Sequence, residues 1–201
     1  MKRTKSEAEE TRQRLLEAGM QVFLERGFDK ASLEEIAQQV DMTRGAVYWH
    51  FKDKQALLEA LLEQKLQPAR QQLEGLLRDP ELRPLQKITT FVRLQLQLMA
   101  ENEAYRNAQL LLQRCWMALP APAEGRSPWG EEHYLLLLEE LYWQAQSERA
   151  VAAHLSPLHL ATYTLGVVNG LVQQFGQLGL SRAEARRMAE QLVYLFMRSL
   201  Q

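Results

Sequence analysis

SLEEIAQQVDMTRGAVYWHFKDK, residues 32–54, decides how this chain is organised. Leu33, Ile36, Ala37 and Val40 recur at i, i+3, i+4 and i+7, which is one apolar face of a helix. Ser32 followed three residues on by Glu35 is a capping box that starts it. Asp41 and Met42 fill a short turn, and Thr43 caps the next helix, which carries Arg44 to Phe51. At about 100° per residue, Tyr48 and Trp49 sit about 100° and 200° from Val47, whereas Phe51 returns close to it. Val47 and Phe51 can therefore face a core that Gly45, Tyr48 and Trp49 cannot join. An aromatic pair on the solvent side of a two-turn helix calls for an explanation. A helix-turn-helix that lays this helix in the DNA major groove supplies one. The competing reading is packing alone, since a Tyr-Trp-His-Phe run commonly fills an interior.

Outward from this segment the signals stay helical, and the expected class is all-α. A first helix is predicted from about Ala8 to Arg26, with Leu15, Leu16, Gly19, Val22 and Phe23 inward and Gly27 as its stop. Asp53 caps a fourth helix beginning QALLEALL, in which Pro68 predicts a kink or break near Gln67. Asp79-Pro80 and Pro84 mark a turn, and helices follow at about 84–101 and 104–118. ALPAPAEGRSPWG, residues 118–130, reads as a loop. Further helices are predicted at about 131–152, from Ser156-Pro157 to about Leu178, and from the Ser181/Glu184 capping box to about Leu200.

Composition narrows the function classes. The net charge is −1, and 46% hydrophobic with 24% charged residues is ordinary for a globular chain. Even within 1–54 the basic residues (2, 3, 5, 12, 14, 26, 30, 44, 52, 54) match the acidic ones (7, 9, 10, 17, 25, 29, 34, 35, 41, 53) in number. DNA binding must therefore rest on where charges lie: Lys2, Arg3 and Lys5 form a basic arm, and Arg44, Lys52 and Lys54 flank the outward helix. The single cysteine, Cys115, rules out an intrachain disulfide and fits a reducing cytoplasm. The basic start runs into Ser-Glu-Ala-Glu-Glu without an apolar stretch, so no signal peptide is expected. No run approaches the roughly 18 apolar residues of a membrane span, so no membrane partner is expected either.

The segment from Thr11 to Leu62 resembles the N-terminal domain of the TetR/AcrR family of bacterial repressors. TRGAVYWHFKDK at 43–54 is close to the family's recognition-helix signature, and RLLEAGMQVFLERGFDKASLEEIA at 14–37 matches its first two helices. The start, KRTKSEAEETR, is similar to the multidrug-efflux branch represented by AcrR. The resemblance implies an N-terminal three-helix bundle with a helix-turn-helix, residues 1–52, and a larger helical ligand-binding and dimerisation domain, residues 53–201. The expected DNA-binding residues are Thr43, Arg44, Gly45, Ala46, Tyr48, Trp49, His50, Lys52 and Lys54. Arg44 can read a guanine edge bidentately, and Tyr48 suits a thymine methyl or a phosphate. Thr43, Trp49, His50 and Lys54 suit phosphates.

The C-terminal part carries no catalytic pattern. Its histidines, 133, 154 and 159, lack metal-ligand spacing, and its glycines form no phosphate loop. Cys115 reads as a small buried apolar residue, His133 as a helix-surface one. No enzyme activity, cofactor or metal is expected. The last helix is apolar over a wide arc through Ala185, Met188, Ala189, Leu192, Leu195, Phe196 and Met197, and Gly166 with Gly170 permits close helix approach. Internal packing is one explanation. The other, which the resemblance also implies, is a homodimer through the last two helices, forming a four-helix bundle. Uncharged polar residues (Gln95, Gln109, Gln113, Thr162, Tyr163, Asn169, Gln173) interleave with apolar ones, as in small-ligand sites. RNAQLLLQRCWM at 106–117 and TLGVVNGLVQQF at 164–175 resemble the efflux-repressor branch. With that resemblance, the expected lining is Leu98, Leu112, Cys115, Trp116, Leu165, Val168, Asn169 and Val172, around a small hydrophobic effector. The predicted activity is a ligand-responsive repressor on near-palindromic operator DNA, controlling efflux or detoxification genes. The alternatives are a same-fold regulator with a metabolic or signalling ligand, an activator, or a helical protein-interaction module.

Overall fold

The computed structural model describes residues 5–115, 119 and 131–200, and within them every regular element is a helix. In chain order these are α1 (Lys5–Arg26), α2 (Leu33–Gln39), α3 (Arg44–His50), α4 (Lys54–Arg78) and α5 (Pro84–Glu101). They continue with α6 (Glu103–Cys115), α7 (Glu131–Ser147), α8 (Pro157–Gln177) and α9 (Arg182–Ser199). Apart from Leu119, the proline-rich stretch 118–130 lies outside the described residues, as do Lys2, Arg3 and Trp116. The chain packs into two units. One gathers Met1–Gln67 with Asn107–Pro120, the other Pro68–Arg106 with Ala121–Gln201.

In the first unit, Leu15, Leu16, Val22 and Phe23 of α1 are buried with Leu33, Ile36 and Ala37 of α2, Val47 of α3 and Leu57, Leu58, Leu61 and Leu62 of α4. Gly19 has a packing reason, since a methyl group there would run into Leu57 Cδ2. Gly27 ends α1 at φ 76°, where its N–H still donates to Phe23 O at 3.0 Å. That left-handed conformation costs glycine least. The Ser32/Glu35 capping box forms as expected, with Ser32 accepting from Glu35 N–H and the Glu35 carboxylate accepting from Ser32 N–H at 3.1 Å. Asp41 closes α2 at φ 55°, and Met42 N–H reaches back to Ala37 O at 2.9 Å. Aspartate is among the few residues other than glycine that take this position readily. Arg14 Nη2 clamps the same corner, donating to Val40 O at 2.9 Å. Asp53 caps α4 through Oδ1, which accepts from Ala56 N–H at 2.7 Å.

The second unit is built around α5, which packs against α7, α8 and α9. Ile88, Phe91, Val92, Leu96 and Met99 fill its buried side. Two expectations change and one, the kink or break at Pro68, is narrowed to exclude the break. Pro68 lies inside an α4 that runs to Arg78 without a break, so the missing N–H costs one bond to Gln64 but not the helix. Helix α7 stops at Ser147 rather than near 152, because Arg149 turns left-handed at φ 58° and Ala150 N–H bonds Ala145 O at 2.9 Å. Gln146 Nε2 then holds the carbonyls of Ala152 and Leu155 at 2.8 and 2.7 Å, fixing the exit. Ser156 occupies the N-cap of α8 but makes no side-chain cap bond; Pro157 alone suits that start. The Ser181/Glu184 box of α9 forms as expected.

The outer sides of α8 and α9 are unusually bare. Ala185, Ala189, Val193 and Phe196 turn α9 inward, while Tyr194 and Leu195 remain 64% and 60% exposed. Tyr163 lies against Phe196 and donates to Ser199 Oγ at 2.9 Å, tying the two helices together. A methyl group at Gly166 or Gly170 would meet no described side chain or neighbouring helix within 4 Å. The close approach these glycines allow is therefore not used by another described helix of this chain.

Candidate nucleic-acid interface

Helix α3 is anchored from one side only. Val47 and Phe51 are buried, while Trp49 is 72% and Tyr48 43% exposed. Thr43 Oγ1 caps the helix, accepting from Ala46 N–H at 3.3 Å. Thr43, Arg44 and Gly45 are exposed beside the aromatic pair and Ala46 is half-buried, so these candidate residues share one outward surface. His50 is half-buried, its ring edge-on to Trp49 with centroids 4.7 Å apart. Lys52 is exposed.

Arg44 is more constrained than its exposure suggests. Its Nε stands 2.7 Å from Glu34 Oε1, Nη2 donates to Tyr48 Oη at 3.4 Å, and the guanidinium lies 5.3 Å from the Tyr48 ring centroid. The Tyr48 hydroxyl first, and then the Glu34 carboxylate, holds the guanidinium above its usual range. Glu34 was not singled out by the sequence. Ten positions separate it from Arg44 on a different helix, so no spacing rule within one helix reports the pair.

Lys54 is engaged within its own unit. Its ammonium donates to the carbonyls of Phe28, Asp29 and Ala31 at 2.7, 3.1 and 3.3 Å and sits 4.5 Å from the Phe28 ring centroid. An ammonium has three N–H donors, and all three are used inside the unit. In this arrangement Lys54 clips the loop after α1 to the start of α4. Replacing it with alanine leaves three carbonyls short of a donor. Lys54→Ala should lower stability by about 1–3 kcal/mol, or a few degrees in a thermal melt. An unchanged melt with a salt slope of DNA binding reduced by about one would support the phosphate role.

The comparisons with known proteins agree with this geometry. Residues 15–61 match the family described as bacterial regulatory proteins, tetR family. The HTH-type transcriptional repressor BepR of Brucella suis biovar 1 (strain 1330) is 31% identical over 177 residues, which is 87% of this chain and 85% of that protein. The chain belongs to the TetR/AcrR family of transcriptional repressors. A second member, the HTH-type transcriptional regulator AcrR of Shigella flexneri, is 47% identical over 62 residues, 31% of this chain and 29% of that one. The crystal structure of NalD, the secondary repressor of the MexAB-OprM multidrug efflux pump in Pseudomonas aeruginosa, superposes with a TM-score of 0.73 at 26% identity. That match covers 96% of this chain and 97% of NalD. As in other TetR/AcrR members, an N-terminal helix-turn-helix precedes a helical C-terminal part.

The effector candidates of this TetR/AcrR chain fall in both units. Leu112 and Cys115 belong to the first unit; Leu98, Leu165, Val168, Asn169 and Val172 belong to the second. Cys115 lines a recess of about 360 Å³ with Phe28, Asp29 and Arg114, and burial pushes its thiol up, away from the reactive thiolate. Leu98 lines a surface groove with Gln72, Leu94 and Arg182. Leu165, Val168 and Val172 are buried in the second core, and Asn169 is half-buried. Trp116 lies outside the described residues. What the sequence did not bring out is a set of phenols in the second unit. Tyr105 donates to Gln95 Oε1 at 2.5 Å, and Tyr142 pairs with Thr164 Oγ1 at 2.6 Å. Tyr134, packed 5.3 Å from Phe91, buries a hydroxyl with no hydrogen-bond partner among the described residues, and burial drives its ionisation beyond the usual phenol range. His133 is half-exposed, 3.7 Å from Glu74. Among the described residues no group of three metal-ligating side chains forms, and no helix is long and apolar enough to cross a membrane.

Proposed function

We propose that this chain is a ligand-responsive repressor of an efflux or detoxification operon, released from a near-palindromic operator by a small hydrophobic effector. The observation that carries the DNA half is the outward face of α3. It presents Arg44, Tyr48 and Trp49 to solvent while Val47 and Phe51 hold it to the core. The efflux assignment draws support from NalD, a repressor of a multidrug efflux pump. Residues 1–52 act as the DNA-binding domain and 53–201 as the effector and dimer domain. Two such chains join through α8 and α9.

The effector half rests on the second unit. A mostly apolar interior with a few hydrogen-bonding groups suits a small ligand, and Tyr134 offers a buried hydroxyl that an effector oxygen or a water can satisfy. The buried polar side chains of the second unit, Gln95 and Thr164, are uncharged, which favours a weakly polar effector. Linkage limits what that effector can do. It shifts DNA affinity only by its differential affinity for the two states, typically about 5–150-fold, and operator DNA must weaken effector binding by the same factor.

The test is a gel shift on the DNA upstream of the chain's own gene, followed by calorimetric titration of a hydrophobic drug panel with and without the bound fragment. Retardation of a palindromic fragment and a reciprocal loss of drug affinity are expected. Drugs that bind equally in both conditions would sink the inducer model and leave DNA binding standing. Failure to retard any fragment would favour the protein-interaction module.

A further inference from the structure

We propose that Glu34 is a specificity-positioning residue, which holds the Arg44 guanidinium by its Nε so that only the Nη end is offered to a base. This rests on the DNA-reading role of α3 proposed above. Neighbouring acids divide their work. Glu35 closes the capping box and pairs with Arg26 at 2.9 Å, whereas Glu34 reaches across to α3 and meets Arg44 at 2.7 Å. Tyr48 supplies the second support, with its ring 5.3 Å from the guanidinium and its hydroxyl accepting from Nη2 at 3.4 Å.

The chemistry of the fork gives this arrangement a consequence. A guanidinium has five N–H donors in one plane. One is committed to Glu34 and one points at Tyr48, which leaves three at the Nη end, enough for the two parallel bonds that guanine O6 and N7 accept. A long, exposed arginine otherwise samples many rotamers and can drop onto a phosphate, a contact that carries no sequence information. The buttress removes the Nε edge from competition and shortens the search. Its sign distinguishes it from simple charge. Removing a carboxylate beside DNA should strengthen binding to every sequence, because one repulsion with phosphate is gone. Removing a positioning group should weaken discrimination at the base Arg44 reads.

The experiment uses the full chain and a randomised duplex library, with affinities then measured on the selected site and on the same site changed at one base. Wild type, Glu34→Gln, Glu34→Ala, Arg44→Ala and the double variant Glu34→Ala/Arg44→Ala are compared, each checked by a thermal melt. Glu34→Ala should cut the discrimination ratio at one base position by about tenfold, while affinity for unrelated duplex stays equal or rises. Glu34→Gln, whose amide oxygen still accepts from Nε, should keep most of the ratio. In the Arg44→Ala background, losing Glu34 should change the ratio no further. The proposal is overturned if Glu34→Ala keeps the ratio, or if its effect persists without Arg44. It is overturned too if Arg44→Ala leaves base preference intact, although DNA binding by α3 would survive that result. A wild-type chain that selects no sequence would remove the DNA reading itself.

Discussion

Leu195→Asp should convert the chain to a monomer and weaken full-operator binding by about 10²–10⁴-fold, leaving half-site binding nearly unchanged. The outer sides of α8 and α9 expose Leu195, Tyr194 and Tyr163, with Gly166 and Gly170 open beside them. Large apolar side chains next to a stripe without Cβ atoms form a surface that a second copy can cover closely. A two-fold arrangement lets the same patch serve both partners. On a palindromic operator the second recognition helix then binds intramolecularly, and that effective concentration is the origin of the expected factor. An aspartate at this position would have to be desolvated in each half of such an interface, at a cost in free energy. The monomer should still fold, because Leu195 is exposed in the isolated chain and surface substitutions usually change stability by less than about 0.5 kcal/mol. Light scattering with size-exclusion chromatography reads the assembly, and gel shifts on full and half operators read the affinity. A variant that stays dimeric would move the interface elsewhere on the chain.

Arg44→Ala should lower affinity for the selected operator by about tenfold to a hundredfold and flatten base preference at one position per half-site. The arginine stands at the start of α3, braced by Glu34 and Tyr48, with the rest of its fork toward solvent. The bidentate contact to guanine proposed for Arg44 would be lost as a unit. Lys52→Ala is the matched control: an exposed cation beside the helix should contribute to all sequences alike, and its loss should reduce the salt slope by about one. Arg44 and Lys52 therefore separate base reading from backbone attraction within one short segment. If binding-site selection gives the same preferences with and without Arg44, the reading residue lies elsewhere on the α3 face, with Tyr48 the next to test.

Much of this was legible from residues three or four apart. The Ser32/Glu35 and Ser181/Glu184 boxes, the Thr43 cap, the Gly27 stop and the outward placement of Tyr48 and Trp49 all depend on helix periodicity and cap chemistry, which act locally. Local rules also gave wrong expectations. Proline at 68 reads as a kink or break because it removes a donor; the break does not occur, and Leu66, Ala69 and Leu73 are buried on either side of it. Helix α7 looks able to continue past Ser147, but the carbonyls gathered by Gln146 come from residues beyond the helix, which periodicity does not count.

The sequence by itself determined an all-helical chain with a helix-turn-helix segment at 32–54, because capping pairs and the 3.6-residue period are encoded within a few positions. Tertiary structure decided what distant side chains do. Glu34 braces Arg44, and Lys54 serves the carbonyls of the loop after α1. It also decided that the effector candidates divide between two units and that Tyr134 is left with a buried hydroxyl to satisfy. The physical reason is common to all of them. A hydrogen bond or ion pair between elements depends on where packing sets two helices. That placement is a property of the assembled core, to which no short window of residues has access.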